Sequence, residues 1–102
     1  MANFRTLAYT PLQNGFSYDP VNKAINNPDG TVSQLSRKKY LFIELLLKNK
    51  KHIVPYDIIK SLVWEGSIMS IDALRSLVRE IRKYSYLGIV SNFNGIGYQI
   101  NI

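Results

Sequence analysis

The chain has 102 residues, of which 46% are hydrophobic and 20% charged; that is enough for one packed core and too apolar for a disordered segment. It has no cysteine, which excludes a disulfide framework and a cysteine-ligated zinc site and fits a reducing cytoplasm. The formal net charge is +6, and no apolar run nears the ~20 residues of a membrane helix.

The first stretch, about 1–35, carries Arg5 and Lys23 against Asp19 and Asp29, so it is neutral. Met1-Ala2-Asn3-Phe4 has no apolar signal core. Turn signals then crowd together at Thr10-Pro11, Asn14-Gly15, Asp19-Pro20 and Asn27-Pro28-Asp29-Gly30. Between them lie Phe16-Ser17-Tyr18, Lys23-Ala24-Ile25 and Thr31-Val32-Ser33-Gln34-Leu35. Segments that short between turns predict antiparallel strands.

From about 36 to 86 the pattern becomes helical. Ser36 is placed to cap a first helix, and Leu35 and Tyr40 fall at the staple positions. Leu41, Ile43, Leu45, Leu46 and Leu47 supply a wide apolar face. Asn49 to His52 reads as a polar connection. A second helix is expected from Pro55, with Asp57 in its first turn. Ile58, Ile59, Leu62 and Val63 form its predicted buried side, and Trp64 stands near its end.

The third helix, expected from Ser70 to about Tyr84, is the informative one. Ser70 can cap it and Asp72 suits its first turn. At ~100° per residue, Leu74, Val78 and Ile81 share a narrow arc with Leu77 beside them. Asp72, Arg75, Ser76, Arg79, Arg82 and Lys83 fall opposite. One face can pack while the other presents cations. In the last stretch, about 88–102, Ile89 to Phe93 and Ile96 to Ile100 flank Asn94-Gly95. That is a strong hairpin signal, with positive φ expected at both turn residues.

Catalysis has little to stand on. The only histidine is His52, read as an exposed loop residue. Asp57, Glu65, Asp72 and Glu80 suggest no carboxylate pair. Gly95-Ile96-Gly97 lies inside a hairpin, so it is no phosphate-cradling loop. The expectation is therefore no enzyme, no metal and no cofactor. The basic helix fits the major groove of duplex DNA, where arginine and lysine neutralise phosphates. A solvated helix face is the plain alternative for the same charges, and a protein-interaction module using the 65–70 loop is another.

The residues that carry a family resemblance are now in place. They are Leu35-Ser36-Arg37-Lys38-Lys39-Tyr40, Ile53-Val54-Pro55, Val63-Trp64, Asp72 to Lys83, and Asn94-Gly95-Ile96-Gly97-Tyr98. In this order and spacing, over roughly 15–102, the chain resembles the OmpR/PhoB-type winged-helix effector domain of two-component response regulators. The resemblance implies an α+β winged helix-turn-helix: an N-terminal antiparallel sheet, a three-helix core and a C-terminal β-hairpin wing. It implies a transcription regulator whose third helix lies in the major groove and whose wing touches an adjacent minor groove.

On that resemblance the DNA-contacting candidates are Asp72, Ala73, Arg75, Ser76, Arg79, Glu80, Arg82, Lys83, Trp64, Asn92, Asn94 and Tyr98. Trp64 and Tyr98 match phosphate-touching positions, although core packing is an equal claim on the tryptophan ring. The 65–70 loop is an expected contact for RNA polymerase. A chain of this length holds no receiver domain beside the reader, so a fragment or a stand-alone reader is expected. Phosphorylation elsewhere would then favour dimers on paired half-sites.

The chain also departs from the family pattern. Glu80 stands where arginine is frequent; it either accepts from cytosine N4 or pairs with a neighbouring arginine. Leu77 stands where a polar reader is frequent, Asn94 replaces a frequent wing arginine, and Lys39 replaces a capping glutamate. Ser70 and Leu74 are also similar to those of ToxR-like membrane-linked regulators. Arg75, Arg79, Arg82 and Lys83 are expected to serve phosphates, leaving Ser76 and Glu80 as base readers.

Overall fold

A computed structural model describes residues 9–102. Arg5 and the reading of the first four residues lie outside the described residues. Four short strands come first: β1 (Thr10–Pro11), β2 (Ser17–Asp19), β3 (Ala24–Asn26) and β4 (Val32–Gln34), in one antiparallel sheet of that order. Asn14 and Gly15 both take positive φ, +59° and +81°, in the β1–β2 turn. Glycine accepts this freely and asparagine tolerates it. Asp19, 5% exposed, accepts from the Val21 and Asn22 amides and so fixes the next turn.

Helix α1 (Arg37–Lys48) follows and packs Phe42, Ile43, Leu45 and Leu46 into the core. Leu41 and Leu47, expected there, are only half-buried, and Phe42 belongs to the core instead. Ser36 is the N-cap residue, but its hydroxyl makes no capping bond. The sheet is tied to α1 at one partly buried point. The Tyr18 hydroxyl donates to Glu44 Oε2 at 2.5 Å, and Lys23 Nζ donates to the same oxygen at 2.7 Å. Burial alone pushes the Glu44 carboxyl up; those two donors and the Lys23 and Lys48 charges hold it below its ordinary range.

A strand absent from the sequence reading comes next. β5 (Val54–Pro55) pairs with β7 (Gly97–Ile100), which in turn pairs with β6 (Val90–Phe93). Pro55 is therefore the last strand residue and the N-cap of α2 (Tyr56–Val63), not its first helical residue. Its fixed φ suits both positions, and pairing with a partner forty residues on leaves no local signal. Only Ile59 and Val63 of α2 are buried. Ile58 and Leu62, expected beside them, are 42% and 55% exposed. The helix presents two apolar rows at i, i+4 spacing, and the core takes one of them.

Helix α3 (Ile71–Lys83) behaves as its periodicity predicts. Ser70 Oγ accepts from the Ala73 amide at 3.0 Å, and Leu74, Leu77, Val78 and Ile81 are buried. A 3-10 turn at Leu87–Ile89 leads into β6. The hairpin turn differs from expectation. Gly95 takes φ +80°, but Asn94 is not among the positive-φ residues, and the Ile96 amide donates to the Phe93 carbonyl. With Phe93 opposite Gly97, the loop has three residues, 94 to 96, rather than two. Gly97 is required for a different reason. A Cβ there would lie 1.9 Å from the Val54 carbonyl oxygen, so only glycine lets β7 approach β5.

Candidate nucleic-acid interface

The α3 surface divides cleanly by angle. Opposite the buried Leu74, Leu77, Val78 and Ile81, an ideal helix puts Asp72, Ser76, Arg79 and Lys83 within about 30° of the outward line. Arg75 falls about 70° to one side, toward the wing, and Glu80 about 70° to the other, toward α1. Asp72, Arg75, Arg79, Glu80 and Lys83 are exposed, while Ala73, Ser76 and Arg82 are half-buried. Arg75, Arg79 and Lys83 have no hydrogen-bond or ion-pair partner among the described residues.

On the wing side α3 faces an open cleft of about 530 Å³, lined by Arg75, Arg79, Arg82, Lys83, Leu87, Asn92 and Tyr98. It continues toward the wing tip, where Asn94 and Gly95 join Arg75, Asn92 and Tyr98. Tyr98 is 4% exposed, and its ring packs edge-on against Phe42 and Tyr56. Burial raises its hydroxyl pKa, with Tyr56 adding to the rise and Arg82 and Arg75 opposing it. Asn92 is exposed and accepts from the Tyr56 hydroxyl at 3.0 Å. Arg82 is not a free cation on this side. Its Nη2 donates to the Val90 carbonyl at 3.0 Å, and its buried Nε has no partner. It bolts α3 to the first strand of the wing.

On the α1 side the groove is lined by Ser36, Lys38, Lys39, Trp64, Ala73, Ser76, Leu77 and Glu80. Glu80 pairs with Lys39 at 2.8 Å, so its partner is on α1 and is not a neighbouring arginine. The Lys39 hydrogen bond and charge hold the Glu80 carboxyl below its ordinary range. Lys39 is nearly enclosed, its side chain 15% exposed, and its ammonium lies 4.9 Å from the Tyr84 ring centroid. The two departures from the family pattern, Lys39 and Glu80, thus meet each other. Trp64 is 8% exposed and belongs to the core, with the Lys38 ammonium 5.8 Å from its ring.

The sequence reading missed Lys38, Lys39 and Tyr56 as neighbours of this surface. A signal existed. Arg37-Lys38-Lys39 puts three cations in the first turn of α1, against its dipole. Arg37 is relieved by Glu65 at 2.9 Å and Lys39 by Glu80, while Lys38 has no acidic partner among the described residues. No group of three or more metal-ligating side chains occurs among the described residues. No helix there is long and apolar enough to cross a membrane.

Two sheets, three helices and a hairpin placed against the third helix define a winged helix-turn-helix. Solved structures share it. The DNA-binding domain of Bacillus subtilis CssR superposes with a TM-score of 0.74 at 20% identity, over 84% of this chain and 99% of that one. The DNA-binding domain of Klebsiella pneumoniae RstA, in complex with RstA box, gives 0.70 at 16% identity, over 90% and 95%. No family model and no curated protein matches the sequence. The likeness establishes the fold that the resemblance implied.

Proposed function

We propose that the chain binds duplex DNA sequence-specifically, as the reading domain of a transcription regulator, with α3 in the major groove and the wing against the neighbouring backbone. One observation carries this. The outward face of α3 holds Arg75, Arg79 and Lys83, exposed and without partners, beside an open cleft that the wing closes on one side. Unpaired cations on a helix of groove-fitting width are suited to phosphates and base edges. Lys38 adds a charge on the α1 side. That the superposed domains are named as DNA-binding supports the reading.

Asn94 sits exposed at the wing tip and brings hydrogen bonding without charge. The wing is therefore a weaker contact than α3. The reading extends to two copies on half-sites about one helical turn, ~34 Å, apart. It extends to the 65–70 loop as an RNA polymerase contact, where Ile68 is 92% exposed. It places the chain in the compartment that holds the DNA, the cytoplasm of a bacterial cell.

The test is fluorescence anisotropy with a random-sequence duplex from low to moderate salt. Binding should weaken steeply, with a log–log slope set by the phosphates neutralised. Flat affinity, or no shift of the amides of Arg75 to Lys83 in an NMR titration with the same duplex, defeats the proposal in favour of a protein-binding role.

A further inference from the structure

We infer that Arg79, not Glu80, determines base preference on α3, and that the base it selects is guanine; this rests on the DNA-binding reading above. Glu80 has the chemistry to accept from cytosine N4, but its carboxylate is committed. It accepts from Lys39 Nζ at 2.8 Å, and Lys39 is enclosed against Tyr84 with its side chain 15% exposed. Swinging Glu80 toward a base would strip a largely buried ammonium of its counter-charge, which costs far more than one base contact returns. Glu80 also sits about 70° off the outward line of α3, on the α1 flank.

The outward stripe itself has four members: Asp72, Ser76, Arg79 and Lys83. Ser76 is short and half-buried. Lys83 ends the helix and offers a point charge with no fixed direction. Asp72 has only acceptors and sits in the first turn, where the helix dipole favours it. Arg79 alone combines reach, exposure, freedom from internal partners and a planar fork of donors. That fork matches the two acceptors, O6 and N7, which guanine shows in the major groove.

Binding-site selection from a randomised duplex library separates the possibilities. Wild type, Arg79→Ala, Arg79→Lys, Glu80→Gln and the charge-exchanged Lys39→Glu/Glu80→Lys protein would be compared, each first shown to fold by circular dichroism. Wild type should select a guanine at one position of each half-site. Arg79→Ala and Arg79→Lys should each lose that preference by about ten-fold or more, Lys retaining overall affinity better than Ala. Glu80→Gln and the exchanged pair should keep the wild-type base preference. A changed preference in Glu80→Gln with an unchanged one in Arg79→Ala overturns the inference. Wild-type binding without any base preference overturns it while DNA binding stands. Absence of wild-type binding to any duplex overturns the DNA-binding reading itself.

Discussion

The two flanks of α3 are held in opposite ways. Toward α1 the contact is a side-chain ion pair, Lys39 to Glu80, backed by an aromatic ring, and it consumes the charges that form it. Toward the wing the contact is through backbone: Arg82 donates to the Val90 carbonyl, and β7 lies so close to β5 that only Gly97 fits. Backbone attachment leaves side chains unspent. Arg75, Asn92 and Tyr98 therefore border an open cleft, while the α1 flank is electrically closed. A groove-reading surface needs both: a seam that fixes the helix and an edge whose cations remain available.

The wing flank breaks most easily at Gly97. Gly97→Ala drives a methyl into the Val54 carbonyl, so β5 and β7 must part or shift. The expected loss is about 3 kcal/mol, at the upper end for overpacking, read as a fall in the urea midpoint. An unchanged midpoint would mean the wing is not seated on β5. Arg82→Lys tests the same flank more gently. It keeps the charge but loses the fixed donor to Val90, and about 1–2 kcal/mol of stability should go with it. Matched measurements on Arg79→Lys should show no such loss, because Arg79 supports nothing inside the chain.

The other side of the molecule is more sensitive to acid. Glu44, Glu65 and Glu80 are each held below the ordinary glutamate range by hydrogen bonds from cations, Tyr18 assisting at Glu44. A carboxyl whose folded pKa is depressed stabilises above its unfolded pKa and loses that contribution as pH falls through the folded value. Stability should be level near neutrality and decline as pH drops through about 4 and below. Tyr18→Phe removes the hydroxyl donor to Glu44 and should cost about 1 kcal/mol near neutral pH. It should also shrink the acid-side slope. An identical acid profile in the variant would show that Tyr18 does not help hold Glu44 ionised.

Much of this architecture is legible in the residues because it is local. The period of Leu74, Leu77, Val78 and Ile81 sets both the packing and the cationic face of α3, and the N-terminal turn signals delimit the strands. What the residues hide is long-range. β5 exists only because Gly97 and Tyr98 pair with Val54 and Pro55. Arg82 looks like a surface cation until the Val90 carbonyl is brought beneath it, and Glu80 until Lys39 is. Ile58 and Ile59 are alike as residues, and only the placement of α2 on the core decides which is buried. Even the same dipeptide reads differently. Asn14-Gly15 takes two positive φ values and Asn94-Gly95 one, because the strands that enter each turn differ in register.

The smallest prediction compares two serines at the same position of two helices. Ser70 and Ser36 both precede their helices with extended backbone, φ −86° and −70°. Residue type and position therefore forecast equal caps. The Ser70 hydroxyl accepts from the Ala73 amide, whereas the Ser36 hydroxyl accepts nothing, and three cations rather than an acid follow it. Ser70→Ala should cost about 1 kcal/mol and Ser36→Ala only a few tenths at most. The pair of melting curves sharpens the contrast between the flanks. α3 is anchored at its start by its own cap, while the start of α1 depends on tertiary partners, Glu65 and Glu80, for its charges. If the two serines cost the same, the Ser36 hydroxyl caps α1 in solution, and the helix needs those partners less than their geometry implies.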